Sequence, residues 1–169
     1  MEQRKQILTA EVANKKLRRM ALQVVEENYT ETQLVLIGIK NNGTVIAEKI
    51  CQYIKEVFTG EVLVLELSMD KKNPLDIHLN SGINFNGKII VLIDDVANSG
   101  RTMLYALKPL LLQLPEKIQT LALVERTHKT FPVDVDYVGL SVSTTADEHI
   151  VVEVENGEVV GAWLEQGMH

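Results

Sequence analysis

A single cysteine, Cys51, stands in a chain of 169 residues. One thiol cannot build an internal disulfide framework, which fits a reducing compartment. Cys51 falls on a predicted apolar helix face and reads as a core thiol rather than a nucleophile. Positive charge is also short: 17 Lys and Arg face 23 Asp and Glu, a net charge of −6 with a pI near 5.2. General nucleic-acid binders carry a basic footprint, so that class is not expected. No apolar run approaches the roughly 20 residues of a membrane helix, and no apolar signal segment follows Met1-Glu2-Gln3-Arg4-Lys5-Gln6. A soluble cytoplasmic protein without membrane contact is expected. Repeats, low-complexity tracts and interdomain linkers are absent, so residues 1–169 are expected to form one domain, large enough to bury a core. Neither Gly-x-x-x-x-Gly-Lys-Ser/Thr nor Gly-x-Gly-x-x-Gly occurs, which removes two common phosphate-binding loops.

What is present alternates between helical and strand patterns. Ala13, Leu17, Met20, Ala21 and Val24 predict a helix over 10–28, capped by Thr9. Its other face carries Lys15, Lys16, Arg18 and Arg19. Leu34 to Ile39 is a continuous apolar run that reads as a buried parallel strand. The polar loop Lys40-Asn41-Asn42-Gly43 follows, then a helix over 44–57 with Ile46, Ile50, Ile54 and Val57 on one face. After Gly60 comes a strand over Val62–Leu67. Residues 68–87 show little periodicity, the pattern of a lid or binding loop, with Lys71 and Lys72 able to reach an anion.

Lys88 to Ile93 is the next strand. A helix follows from Met103, and Pro109 should kink or end it near residue 108. Strands over 119–124 and 135–140 flank a polar loop at Glu125-Arg126-Thr127-His128. His128 is a candidate base or an ordinary loop histidine. Asn156-Gly157 between two alternating segments marks a β-hairpin over 149–163, with Trp163 packed against the body. Strand and helix alternation implies an α/β fold with a mostly parallel central sheet flanked by helices.

The stretch Val91 to Thr102 carries the chemistry. An apolar run ends in Asp94-Asp95, and the small polar loop Val96-Ala97-Asn98-Ser99-Gly100 leads into a helix start. Acids at the carboxyl end of a strand lie where open α/β sheets place ligands. A helix N-terminus directly after them can hold a phosphate. A phosphoaspartate receiver also places acids at a strand end but lacks this anion loop.

An apolar run, Asp-Asp, a short variable stretch and Ser-Gly-Arg-Thr resembles the phosphoribosyl-pyrophosphate motif of type I phosphoribosyltransferases. Ile7-Leu8, Val35 to Gly43, Gly60-Glu61-Val62, Val124 to His128, Phe131-Pro132-Val133 and Asp136 to Gly139 extend the likeness over nearly the whole chain. The branch resembled is the pyrimidine-operon attenuation regulator, which is also a uracil phosphoribosyltransferase.

The resemblance implies a small hood beside the sheet and transfer of ribose 5-phosphate from phosphoribosyl pyrophosphate to a nucleobase. Asp94 and Asp95 would be catalytic, holding the ribose hydroxyls and Mg²⁺, the metal partly through hydroxyls and water. Asn98, Ser99, Gly100, Arg101 and Thr102 would bind the 5-phosphate. Lys40, Asn41, Asn42 and Gly43 would form the pyrophosphate loop, which in the family often carries a non-proline cis peptide. Lys71 and Lys72 would lie on a lid that excludes water. Val96, Ala97 and Arg126 would face the base. A homodimer or larger assembly is implied as well.

The departures point elsewhere. The pyrophosphate loop of this branch usually ends Arg-Gly, and here it reads Asn42-Gly43. The strand before the lid usually runs into an arginine followed by acids, where this chain has Ser68-Met69-Asp70. The lid is short. A binding module that senses phosphoribosyl pyrophosphate or a nucleotide with little turnover is therefore the alternative. Arg18, Leu22 and Asp134 occupy positions where the regulator branch contacts RNA through a threonine, a histidine and an arginine, so RNA is not expected as a partner. Oxopurine-specific relatives tend to place an aspartate at Asn98, and an amide cannot take up a proton, which favours a pyrimidine.

Overall fold

The computed structural model describes residues 3–167. Strand β1 (Arg4–Thr9) leads directly into helix α1 (Ala10–Asn28). The Thr9 hydroxyl accepts a hydrogen bond from the Val12 N–H at 3.2 Å and so caps the helix. Ala13, Leu17, Met20, Ala21 and Val24 are fully buried, as their spacing predicts. Strand β2 (Gln33–Ile39), helix α2 (Asn42–Lys55) and strand β3 (Glu61–Met69) follow. Strands β4 (Ile77–Leu79) and β5 (Ile89–Ala97) precede helix α3 (Arg101–Leu110). Strands β6 (Lys117–Arg126), β7 (Tyr137–Val142), β8 (Glu148–Glu155) and β9 (Glu158–Gln166) complete the order.

Six strands form the central sheet in the order β4-β3-β2-β5-β6-β7. All of its pairings are parallel except β3 with β4. The central strands are apolar throughout because both faces are covered. One face packs on α1, α2 and the second sheet; the other packs on α3, Phe85 and Val135. That second sheet is antiparallel, in the order β1-β9-β8, and forms the hood. Asn156 and Gly157 both take positive φ, 51° and 76°, as a tight hairpin turn between β8 and β9 requires.

Several boundaries differ from the sequence expectation. Arg4–Thr9 has no apolar run, yet it is a strand because β9 offers it a paired edge. Strand β5 continues past Ile93 through both acids to Ala97, since β6 keeps pairing with it as far as Glu125. The 68–87 segment is not wholly irregular: β3 runs to Met69, and Ile77–Leu79 folds back on Leu67–Met69. The irregular tip is correspondingly short. Helix α2 begins at Asn42 and ends at Lys55, which leaves Val57 half-exposed. Helix α3 ends at Leu110, directly after Pro109, whose missing N–H and ring break the ladder. Leu111, Leu112 and Leu114 beyond it stay exposed, although the spacing of Leu111 and Leu114 continues the apolar pattern of the helix.

Two glycines set the distance between α2 and the sheet. A Cβ on Gly38 would lie 2.6 Å from the Thr44 Cα and 2.7 Å from the Gly43 carbonyl. A Cβ on Gly43 would lie 2.8 Å from the Ile93 carbonyl and 3.2 Å from the Asp94 Cα. Only hydrogen at these positions lets the start of α2 lie against the carboxyl ends of β2 and β5.

At the opposite end of the sheet, the Tyr137 hydroxyl donates toward the Glu27 carboxylate at 2.7 Å and the Gln119 side-chain oxygen at 2.8 Å. Burial, and then the Glu27 carboxylate, push the phenol pKa up, while the same hydrogen bond holds Glu27 below its usual value.

Candidate functional site

The carboxyl end of β5 opens into a cavity of about 300 Å³. Its floor is Asp94 to Gly100, its sides are Asn42, Lys71, Thr102 and Met103, and its roof is Ile150-Val151-Val152 of the hood. A second cavity of about 340 Å³ is lined by Lys40, Asn41, Asn42, Met69, Lys71 and Asp95. Asn42, Lys71 and Asp95 line both, so they form the partition between them.

The two acids sit in different environments. Asp94 is 1% exposed. Its Oδ1 accepts the Asp95 N–H at 2.9 Å, and its Oδ2 lies 3.5 Å from the Lys71 ammonium. Burial, and then the neighbouring Asp95, push the Asp94 pKa well above the usual carboxylate range, and Lys71 opposes that shift. Asp95 is half-buried; its Oδ1 accepts the Val96 N–H at 2.7 Å and its Oδ2 accepts from the Asn42 amide at 3.0 Å. The same Asn42 nitrogen donates to the Val152 carbonyl at 2.9 Å. One amide therefore joins the α2 start, an acid and the hood.

The anion cradle is built from backbone. The Ser99 carbonyl accepts the Thr130 and Phe131 N–H groups at 3.1 and 3.0 Å, which fixes the loop. Gly100 caps α3 at φ 85°, a conformation that favours glycine. The Ser99 hydroxyl accepts the Arg101 N–H at 3.2 Å. Thr102 and Met103 of the first turn of α3 line the cavity, and the N–H groups of a helix's first turn lack intrahelical partners and suit an anion. The Asn98 Oδ1 is buried there without a hydrogen-bond partner.

The structure brings Asp94, Asp95, Val96, Ala97, Asn98, Ser99, Gly100, Thr102, Asn42 and Lys71 to one cavity. Lys40 and Asn41 line the adjoining one, and the peptide between them is cis. Gly43 touches neither wall with a side chain; its role is the close approach to Asp94. Three more expected residues lie outside both linings. The Arg101 guanidinium sits 5.9 Å from the Tyr105 ring centroid. Lys72 is exposed on the lid tip, its N–H bonded to the Asp70 carboxylate. Arg126 donates to the Glu148 carbonyl at 2.7 Å and so braces the hood.

Sequence reasoning missed Ile150 to Val152. Three consecutive apolar residues in a hairpin strand leave both faces apolar, and that is the signal that its outer face also covers something.

No group of three or more His, Cys, Asp or Glu side chains lies together among the described residues. The two adjacent carboxylates fit a hydrated divalent cation that completes its shell with water, or with substrate oxygens where these are present, rather than with further protein ligands.

A mostly parallel sheet with a glycine-capped helix start beside paired acids, roofed by a separate small sheet, is an arrangement suited to a sugar phosphate. Residues 3–156 match the phosphoribosyl transferase domain family, and the chain belongs to it. It is 32% identical over 161 residues to the bifunctional protein PyrR of Enterococcus faecalis, covering 90% of each chain. To the bifunctional protein PyrR of a Thermoanaerobacter species it is 32% identical over 170 residues, covering 95% of this chain and 96% of that one. The fold is also similar to a point mutant of the hypoxanthine phosphoribosyltransferase of Trypanosoma cruzi, complexed with the product IMP. There the TM-score is 0.76 at 14% identity, covering 93% of this chain and 90% of that one. A hypoxanthine-guanine phosphoribosyltransferase of Bacillus anthracis gives a TM-score of 0.71 at 19% identity, covering 86% and 85%.

Proposed function

We propose that this chain transfers ribose 5-phosphate from phosphoribosyl pyrophosphate to a nucleobase, with uracil favoured, and releases pyrophosphate. The observation that carries the reading is the pair of adjoining cavities. The sugar phosphate fits the cavity with the α3 cradle, and the leaving diphosphate fits the one beside the Lys40–Gly43 loop. The scissile C1–O bond then lies at the partition of Asn42, Lys71 and Asp95. The base nitrogen forms the new bond to C1 as the C1–O bond breaks, the bond electrons leave with pyrophosphate, and the base N–H proton passes to the departing pyrophosphate.

Positive charge develops on the ribose as that bond lengthens. Asp94 and Asp95 supply negative charge next to it and accept from the 2- and 3-hydroxyls. The backbone N–H groups from Asn98 to Thr102, other than that of Arg101, hold the 5-phosphate. Val96, Ala97 and the hood strand β8 close the base side and keep water from the cation. Mg²⁺, held by the acids with substrate oxygens and water, would neutralise charge on the departing diphosphate. Asn98 supports a pyrimidine, because its amide cannot protonate. Residues 1–169 act as one domain, in the cytoplasm. The exposed Leu111, Leu112 and Leu114 support a homodimer or larger assembly. RNA is not proposed as a partner, in keeping with the net charge of −6.

The test is pyrophosphate release from the sugar donor across a panel of pyrimidine and purine bases, with Asp94→Asn/Asp95→Asn as the blank. Turnover with uracil that vanishes in the blank supports the reading. Donor binding without turnover for every base overturns it in favour of a sensor. Asn42 in place of a cation supports that second reading, since a charged hydrogen bond is worth roughly 1.5–3 kcal/mol.

A further inference from the structure

The Asp94 carboxylate already has a cation. Its Oδ1 is committed to the Asp95 N–H, so Oδ2 is the oxygen open to the cavity, and the Lys71 ammonium stands 3.5 Å from it. The partners differ sharply in burial: the Asp94 side chain is 1% exposed and that of Lys71 47%. The carboxylate is fixed by the sheet, while the lysine reaches in from the lid.

The lid anchors Lys71 at its base. Met69 still pairs with Ile77 across β3 and β4, and Lys71 follows two residues later. The Asn73 N–H donates to the Asp70 carbonyl at 3.1 Å, and the Lys72 N–H to the Asp70 carboxylate at 2.9 Å, which closes a tight turn. The backbone at Lys71 is therefore held near the partition, and the long side chain is the part free to move. It lines both cavities, so a change of rotamer carries the ammonium from the acid toward the diphosphate side.

We infer that Lys71 is the resident counter-cation of Asp94, and that a divalent metal and the lid lysine exclude one another at that carboxylate. A magnesium ion bonds oxygen at about 2.0–2.1 Å. A dication at that distance from Oδ2 cannot share it with an ammonium a few ångströms away, because like charges in a half-buried site repel strongly. Metal arrival expels Lys71 from Asp94. The diphosphate of the donor, in the adjoining cavity, is the anion that receives it. The short lid thus carries one positive charge with two posts. In the free protein it neutralises the buried acid; in the loaded protein it faces the leaving group, where the loop has Asn42 instead of a cation. This exchange rests on the phosphoribosyl pyrophosphate reading for its second post, while the first is independent of any donor.

The test separates the two posts. Mn²⁺ binding to the full chain without donor is measured by electron paramagnetic resonance for the wild type, Lys71→Met and Lys15→Met. The last removes the same charge from the outer face of α1. Lys71→Met is expected to bind Mn²⁺ about two- to fivefold more tightly than wild type, the scale of one partly exposed ion pair. Lys15→Met should bind as wild type does.

Calorimetric titration with phosphoribosyl pyrophosphate at saturating Mg²⁺ should move the other way, with Lys71→Met binding the donor several-fold more weakly. Equal Mn²⁺ affinity in wild type and Lys71→Met overturns the inference, as does tightening matched by Lys15→Met, and so does a failure of both proteins to bind Mn²⁺. Tightened Mn²⁺ with no pyrophosphate release from any base keeps the exchange at Asp94 and discards the transferase reading. Thermal unfolding of each variant checks that the fold is retained.

Discussion

Replacing Gly43 with alanine tests how closely α2 and the acid strand must approach. Gly43 lies in the first turn of α2, where alanine would gain at most about 1 kcal/mol in helix propensity. Against that stands the new Cβ, 2.8 Å from the Ile93 carbonyl and 3.2 Å from both the Cα and the Oδ1 of Asp94. The closest of these is backbone of a central strand, paired on both sides, so it cannot turn aside as a flexible side chain would. Overpacking of this kind costs about 1–3 kcal/mol. The clash wins, with a net loss of about 1–2 kcal/mol, or about 2–8 °C in Tm for a domain of this size. The shift falls on Asp94 itself, so kcat/KM for pyrophosphate release should drop at least about tenfold, since ångström-scale misplacement can cost about a hundredfold. Gly82→Ala is the control, because nothing lies within 4 Å of its Cβ. Scanning fluorimetry and the pyrophosphate assay read the two effects. A Gly43→Ala protein as stable and as active as wild type would refute the close-approach argument.

Other perturbations have defined directions. Asp94→Asn, measured in metal chelator, should raise Tm by a few degrees at neutral pH, because it removes a carboxylate that burial penalises when charged. The folded protein holds that proton above the ordinary carboxylate pKa, so wild-type stability from this group falls as pH rises through the raised value. The gap between variant and wild type should therefore close as pH falls into the ordinary carboxylate range; a gap that widens in acid contradicts the assignment. Asn42→Ala should cost about 1–3 kcal/mol in denaturant unfolding by stripping partners from the Asp95 carboxylate and the Val152 carbonyl. Tyr137→Phe should cost about 1–2 kcal/mol while leaving donor affinity unchanged, since its bonds to Glu27 and Gln119 lie at the far end of the sheet. Leu112→Ser/Leu114→Ser should shift sedimentation toward monomer; an unchanged assembly state would show that the leucines past α3 are not its interface.

The sheet and the cradle were legible because their signals are local. A continuous apolar run, two acids and a glycine at a helix start are written in consecutive residues, and β5, Gly100 and α3 follow from them. Periodicity also placed α1 and α2 to within two residues. The hood was only half legible. Asn156-Gly157 announces a hairpin, but nothing nearby says that β1 joins it or that Ile150 to Val152 roof the cavity. Those contacts span most of the chain. Long side chains were the least legible part: Arg126 and Arg101 have the charge for a ligand, yet one reaches the Glu148 carbonyl and the other approaches Tyr105. Asn42 went the other way. As a loss of charge it suggested a weakened loop, whereas its amide spans the acid and the hood.

The hood sheet joins the first strand of the chain to the last two, with Arg4 opposite Glu165 and Thr9 opposite Gly161. On the ribosome, this sets a clock. A nascent chain that has finished β7 already owns the acid pair, the cradle and both helices on the hood side, but its roof has yet to be made. Strand β1, synthesised first, must wait with an open edge until β9 emerges to pair with it. Competence for chemistry therefore arrives only after β8 and β9 have emerged and closed over a floor that was laid long before.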